Sequence, residues 1–256
     1  MSWISLNAGG ELWRRTKSAY AALPGGTLVR VVGGIAGWWV VMLGAVAAVT
    51  LFARSIADDG MADWDREQIV HVRDGTGWAA SIPLPLSFTD GIIFESPSNI
   101  MILLPLTLVC VAVCLWKKRI VWAVAFALSY FLARFLIWIG WHLWDRARPD
   151  LIEGGAAALS AHSFPSGHAL LTFTAYGLLA FLWAYFSRSW IERILAFVPL
   201  ALLATIVSLA RLRLGAHWPS DCIAGVVLGT LWLAGVAASG VWAERHAVQR
   251  SGTLAA

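Results

Sequence analysis

Long apolar runs separated by short polar connections set the pattern of this chain. Six stand out: Val31–Ala53, Ile100–Trp116, Ile120–Trp141, Ala169–Phe186, Ile194–Ala210 and Cys222–Ala243. At about 1.5 Å of rise per residue, each is long enough as a helix to cross most of a hydrocarbon layer roughly 30 Å thick. A helix also satisfies its own backbone donors and acceptors, as lipid demands. The first run is too long for the apolar region of a cleaved signal peptide, and Arg54 follows it where a small-residue cleavage site would stand. The pattern therefore predicts an all-α, polytopic membrane protein with six transmembrane helices.

Between the first two runs lies Ser55–Asn99, the one long stretch not expected to span. It holds eight of the fifteen acidic residues, among them Asp58, Asp59, Asp63, Asp65 and Glu67. Within it, about Met61–Val72 has the character of an amphipathic helix on the outer leaflet. Pro83, Pro85 and Pro97 interrupt the remainder of the loop. A solvated connector and a lid that shapes lipid access are both open readings. The domain organisation expected is a cytoplasmic segment over 1–30, a membrane domain over 31–243 that includes the external 55–99 loop, and a cytoplasmic tail over 244–256.

Composition agrees with the pattern: 59% of the 256 residues are hydrophobic and 13% are charged. So few charges cannot clothe a water-soluble surface, so the bilayer is the first partner. A net charge of +4 invites a nucleic-acid reading, but the nineteen Lys and Arg lie mainly between apolar runs. No nucleic-acid partner is expected, and nothing identifies a protein partner. Eleven cations fall on one side: Arg14, Arg15, Lys17, Arg30, Lys117, Lys118, Arg119, Arg188, Arg193, Arg245 and Arg250. Seven fall on the other, so the positive-inside rule puts both termini in the cytoplasm. Trp116, Trp122, Trp190 and Trp242 then mark the inner interface, and Trp138, Trp141, Trp144 and Trp218 the outer one. Cys110, Cys114 and Cys222 lack the spacing of a zinc site or a disulfide framework and read as packing residues. Gly33-x-x-x-Gly37 and Gly225-x-x-x-Gly229 read as sites of close helix contact.

Three short clusters carry the candidate chemistry, all at outer ends of apolar runs. Pro165-Ser166-Gly167-His168 precedes a helix. Its first-turn N–H groups and the Ser166 hydroxyl can meet an anion, and the His168 imidazole can protonate a leaving oxygen. Further on, Arg211, His217 and Asp221 follow one another. A carboxylate four residues after a histidine can fix its tautomer, or cap the helix that Pro219 starts. Arg146 and Arg148 follow the third run, with Pro149 stopping any helix. They read either as interfacial anchors or as guanidinium groups matched to phosphate oxygens.

Taken together, the clusters resemble the three-part signature of the type-2 phosphatidic acid phosphatase family: K-x6-R-P, then P-S-G-H, then S-R-x5-H-x3-D. Arg148-Pro149, Pro165–His168, and Arg211, His217 and Asp221 match in order and spacing. The similarity covers about Ile100 to Val241. Two positions depart from it: the family's lysine falls on Trp141, and the serine before its second arginine on Ala210. His142 and Arg146, beside the first departure, are the candidates to supply the missing charge.

The resemblance implies a metal-independent lipid phosphatase without cofactor, acting on a phosphorylated lipid from an outward-facing site in the cytoplasmic membrane. His217 would attack phosphorus and form a phosphohistidine, with Asp221 orienting it and His168 moving the proton. Arg148, Arg211, Ser166 and Gly167 would hold the phosphate oxygens. By the same analogy the substrate is an isoprenoid diphosphate resembling undecaprenyl diphosphate, or a glycerophospholipid phosphate. A phosphotransferase using a lipid or sugar hydroxyl as acceptor remains an alternative, as does a silent phospholipid-binding relative, for which Trp141 is the main argument. His142, His162, His168 and His217 with Asp150 and Glu153 can be drawn as a metal set, but no ligand spacing supports it. Arg134, within the third run, either snorkels outward or lines the headgroup cavity.

Overall fold

The computed structural model describes residues 8–82, 87–152 and 162–253. Glu153, Pro83 and Pro85 lie outside the described residues, as do residues 1–7. Regular structure among the described residues is helical: α1 (Ala8–Ala21), α2 (Thr27–Ser55), α3 (Ala62–Asp74), α4 (Phe88–Glu95), α5 (Ile100–Trp116), α6 (Ile120–Leu143), α7 (Gly167–Phe186), α8 (Trp190–Leu195), α9 (Val198–Arg213) and α10 (Pro219–Thr253). Six stretches are long and apolar enough to cross a membrane: Thr27–Ser55, Phe88–Trp116, Ile120–Leu143, Gly167–Phe186, Trp190–Arg213 and Pro219–Gln249. Each contains one of the six runs read from the sequence.

The boundaries differ where caps and turns act. The second crossing begins well before Ile100, because Ser87 caps α4 by accepting from the Asp90 N–H and a tight turn at Ser96–Ser98 carries the chain into α5. Asn99 then caps α5 by accepting from the Met101 N–H. At the other end α10 continues past Ala243 to Thr253, so most of the tail beyond 243 is an extension of the last helix.

Helix α10 is the central strut and packs against α2, α6 and α7. Close approach to α7 depends on Gly225 and Gly229. A Cβ at Gly225 would stand 2.6 Å from the Ser166 carbonyl oxygen, and one at Gly229 would stand 3.0 Å from that of Leu170. Gly33 and Gly37 do not act this way. Nothing lies within 4 Å of a Cβ at either, and the contact on α2 falls instead at Gly34, against Ser239. Indoles are satisfied across helices: buried Trp232 donates to the Ser129 carbonyl at 3.1 Å, and half-buried Trp39 to that of Leu132 at 3.1 Å. Outward faces carry Val40, Phe52, Met101, Leu108, Phe135, Leu202 and Val227, all exposed. An apolar exterior of this extent suits lipid rather than water. The protein is a multi-pass membrane protein.

Helix α3 stands apart from the spans and docks on them. Its buried stripe is Asp65, Ile69 and Val72, spaced as one helical face. Ile69 and Val72 cluster with Ile152, Leu212 and Cys222. That apolar face, which the sequence suggests for the outer leaflet, covers protein.

Candidate active site

The C-terminal ends of α6 and α9 and the N-terminal ends of α7 and α10 meet at one end of the bundle. Helix α7 starts at Gly167 because Ser166 takes the N-cap position, its Oγ facing the Ala169 N–H at 3.5 Å. Helix α10 starts at Pro219, whose missing N–H costs nothing in a first turn. Asp221 reaches back to accept from the Trp218 N–H at 2.8 Å, a carboxylate capping its own helix. One bond joins the two starts: the Ser166 N–H donates to the Asp221 carbonyl at 3.0 Å. That N–H is therefore not one of the donors offered to an anion, contrary to the sequence reading. Gly167 and His168 keep the first-turn position in which helix N–H groups lack intrahelical partners.

His217 sits in the short link between α9 and α10 and is 1% exposed. Its Nδ1 donates to the Ser163 carbonyl at 2.7 Å, and the Asp221 Oδ2 lies 3.5 Å from the same nitrogen. A carbonyl can only accept, so the proton is on Nδ1 and Nε2 carries the free lone pair. Burial pushes the imidazole down to about 4, with Arg211 and Arg148 acting in the same direction and Asp221 opposing them. At neutral pH this histidine is uncharged, with a lone pair on Nε2.

Around it stand the other residues singled out by sequence. His168 is close enough to His217, Arg211, Arg148 and Arg134 for their charges to act on it. Its Nε2 is buried without a protein hydrogen-bond partner, and so is Nε of Arg211. A guanidinium N–H and an imidazole nitrogen left without protein partners beside Nε2 of His217 suit an anionic ligand. Arg148 bonds the Ala216 carbonyl through Nη1. Burial and the neighbouring Arg211 push its guanidinium down to about 10, against Asp221, which still leaves it a cation at neutral pH.

The lysine position of the family pattern is filled by packing. Trp141 donates from Nε1 to the Pro165 carbonyl at 3.2 Å, and its ring lies 3.7 Å from where a Gly167 Cβ would stand. Neither candidate for the missing charge is directed to a phosphate. Arg146 bonds Asp221 Oδ1 and Asp65 Oδ2, each at 2.6 Å, and the Ser220 Oγ at 2.7 Å. Exposed His142 turns its Nδ1 onto the Trp138 carbonyl at 2.7 Å. The histidines do not form a metal set either: among the described residues no three His, Cys, Asp or Glu side chains come together as ligands.

Two acidic residues belong to the site that sequence reasoning did not assign to it. Asp65, fully buried, accepts from the Ser220 N–H at 2.9 Å and the Ser220 Oγ at 2.6 Å as well as from Arg146. Glu95, at the end of α4, forms an ion pair with Nη1 of Arg211. The only sequence signal for Asp65 was its place on the stripe shared with Ile69 and Val72. An apolar cavity of about 690 Å³ lies between α9 and α10 under Trp64 and Trp78. Neither histidine nor any of the arginines described above lines it.

Residues 122–245 match the PAP2 superfamily. A protein of Escherichia coli (strain K12), YbjG, provisionally named an undecaprenyl-diphosphatase, is 30% identical over 131 residues, 48% of this chain and 61% of its own length. An undecaprenyl-diphosphatase of Sulfolobus acidocaldarius is 39% identical over 72 residues, 28% of this chain and 30% of its own. The chain thus spans less than two thirds of either relative. The crystal structure of a transmembrane PAP2 type phosphatidylglycerolphosphate phosphatase from Bacillus subtilis shares the fold, with a TM-score of 0.53 and 21% identity over 75% of this chain and 93% of that one. The matched region, a little under half of the chain, opens on α6 and takes in Arg148, His168, Arg211, His217 and Asp221, so this part of the chain is similar to the PAP2 superfamily.

Proposed function

We propose that the protein is a lipid phosphatase that removes the terminal phosphate of an isoprenoid diphosphate through a phosphohistidine on His217. The observation that carries this reading is the His217 tautomer: Nδ1 is committed to the Ser163 carbonyl, and Nε2 is left as a buried neutral nucleophile among two arginines and a second histidine. Nε2 attacks the terminal phosphorus, the bridging P–O bond breaks, and the electron pair leaves with the lipid monophosphate. His168 supplies the proton that oxygen takes up. Water then attacks the phosphohistidine, His168 accepts its proton, and inorganic phosphate departs as Nε2 regains its pair. Arg148, Arg211 and the Gly167 N–H stabilise the charge that spreads over the equatorial oxygens.

A diphosphate is favoured over a monoester for two reasons. Both relatives bear the name undecaprenyl-diphosphatase. Trp141 also leaves the site one cation short of the family pattern, and a lipid monophosphate is an easier leaving group than an alkoxide. No residue in this scheme calls for a metal or a cofactor. The excess of Lys and Arg on the side of the termini supports a site at the outer face of the cytoplasmic membrane with both termini inside.

The test is phosphate release by the purified protein from farnesyl diphosphate and from phosphatidic acid, with and without a strong chelator, beside His217→Ala. Release from the diphosphate, unaffected by chelator and lost in the variant, is the expected result. No release from any lipid phosphate, or full release by the variant, overturns the reading.

A further inference from the structure

His217 faces opposing charges. Arg148 and Arg211 act on it as cations, and Asp221 is the carboxylate against them. Asp221 is not free to act alone, because Arg146 holds its Oδ1 at 2.6 Å. A one-to-one pair of Asp221 and Arg146 would be neutral. His217 would then face Arg148 and the Arg211–Glu95 pair with no net negative charge on its Nδ1 side to balance the positive charge the ring gains when Nε2 bonds to phosphorus.

The second carboxylate changes that balance. Asp65 holds the other nitrogen of Arg146, also at 2.6 Å, and its side chain is fully buried. One guanidinium between two carboxylates leaves the trio with a single negative charge. It is shielded from water, where charge acts at longer range than at a surface. Asp65 also receives the Ser220 N–H and Oγ, in the first turn of α10, one residue before Asp221. It therefore holds the turn that carries Asp221 as well as the arginine that pairs with it.

We propose that Asp65, brought in by extramembrane helix α3, is a positioning residue of the phosphoryl-transfer site: its charge keeps the Arg146–Asp221 pair net negative, so that Asp221 balances the charge developing on His217. This rests on His217 being the nucleophile. As the N–P bond forms and the P–O bond breaks, the ring keeps its Nδ1 proton and becomes cationic. Neither carboxylate changes protonation. When water displaces the ring from phosphorus, the electron pair returns to Nε2 and the demand on the trio ends.

Asp65→Asn keeps the shape and most of the hydrogen bonding while deleting the charge, and Asp65→Glu keeps the charge while disturbing the packing. Both are made in the full chain and assayed in detergent micelles with farnesyl diphosphate radiolabelled at its terminal phosphate. The readouts are kcat, KM, acid-labile phosphohistidine after rapid quenching, and the apparent Tm. Asp65→Asn is expected to lower kcat and the rate of phosphohistidine formation by roughly 10- to 100-fold, with KM within about twofold and little change in Tm. Asp65→Glu is expected to retain more activity than Asp65→Asn even if its Tm is lower. Wild-type kcat in Asp65→Asn overturns the proposal, as does Asp65→Glu falling to or below the Asn rate. If the wild type hydrolyses the lipid without any phosphohistidine, the reading of His217 fails and this inference with it. If the wild type forms it and Asp65→Asn forms it equally fast, only the inference fails.

Discussion

His217 donates its Nδ1 proton to the backbone carbonyl of Ser163 across 2.7 Å, while the Asp221 carboxylate stands 3.5 Å from the same nitrogen. The pairing of tautomer and orienter is thus divided. The carbonyl sets which nitrogen carries the proton, and the carboxylate supplies charge. Ser163 is itself held in place, its N–H donating to the Arg146 carbonyl at 2.9 Å and its Oγ to that of Ala147 at 3.2 Å. The segment that bears Arg146 and Arg148 therefore also fixes the His217 ring.

This division predicts unequal losses at the two residues. His217→Ala removes the proposed attacking atom and should lower kcat by about ten-thousandfold or more. Asp221→Asn keeps the Ser163 bond and an acceptor for the Trp218 N–H, so the fall should be nearer a hundredfold. Phosphate release from farnesyl diphosphate measures both. Equal losses would mean that the carbonyl cannot hold the tautomer without the carboxylate.

Burial of a neutral His217 has a signature in pH. Its ordinary value is 6.5 and the folded protein lowers it to about 4. Between those values the unfolded chain takes up a proton that the folded protein refuses, so stability falls as pH drops from 6.5 towards 4 and the loss levels off below it. Above pH 6.5 both states are uncharged at this residue and it adds no slope. The full effect is on the order of 3 kcal/mol. Apparent Tm measured at pH 7, 5.5 and 4.5 should decline more steeply in the wild type than in His217→Asn. The same shift keeps the nucleophile unprotonated well below pH 6.5, so single-turnover phosphohistidine formation should show no His217 limb near 6.5.

Arg211, proposed to bind phosphate, is already paired with a carboxylate. Glu95 occupies its Nη1, while Nε is buried without a protein partner. Glu95→Gln removes a neighbouring negative charge from the place where phosphate oxygens collect. Inhibition by orthovanadate or inorganic phosphate is expected to tighten roughly tenfold, the size of an ion-pair change in a partly buried site. Weaker inhibition in the variant would show instead that Glu95 holds Arg211 in its binding pose.

What could be read from the sequence divides along physical lines. The six spans were legible because lipid imposes length and apolarity on each one separately. His168, His217, Arg148 and Arg211 were legible because each lies in a short motif next to a helix end, where local geometry is constrained. Asp65 and Glu95 were not. Their partners lie far along the chain, and Asp65 is one acid among several on a charged helix. Arg146 was misdirected for the same reason: two cations around Ala147 look alike until Asp65 arrives to claim one. Ser163 acts through its carbonyl, which every residue possesses and no motif marks. The paired glycines of α2 failed as a packing signal because the contact falls at Gly34, one position along from Gly33.

The glycines of α10 give a prediction that separates packing from chemistry. Helix α7 holds His168 in its first turn, and α10 holds Asp221 in its own. The distance between those turns is set where Gly225 lies against Ser166 and Ala169. A methyl group there would stand 2.6 Å from the Ser166 carbonyl oxygen and 2.9 Å from the Ala169 Cβ, and backbone oxygen cannot step aside as a long side chain can. Gly225→Ala should therefore push the two helix starts apart, at about 1–3 kcal/mol in stability. It should also cost roughly 10- to 100-fold in kcat, since a displacement near 1 Å misaligns His168 with His217 in the proposed mechanism. Gly33→Ala, with open space around its Cβ, should leave kcat unchanged and raise stability by up to about 1 kcal/mol, because alanine is the better helix former. Phosphate release and apparent Tm on the two variants side by side check this. A Gly225→Ala protein with wild-type turnover would show that the histidines tolerate a wider spacing than the packing of these helices implies.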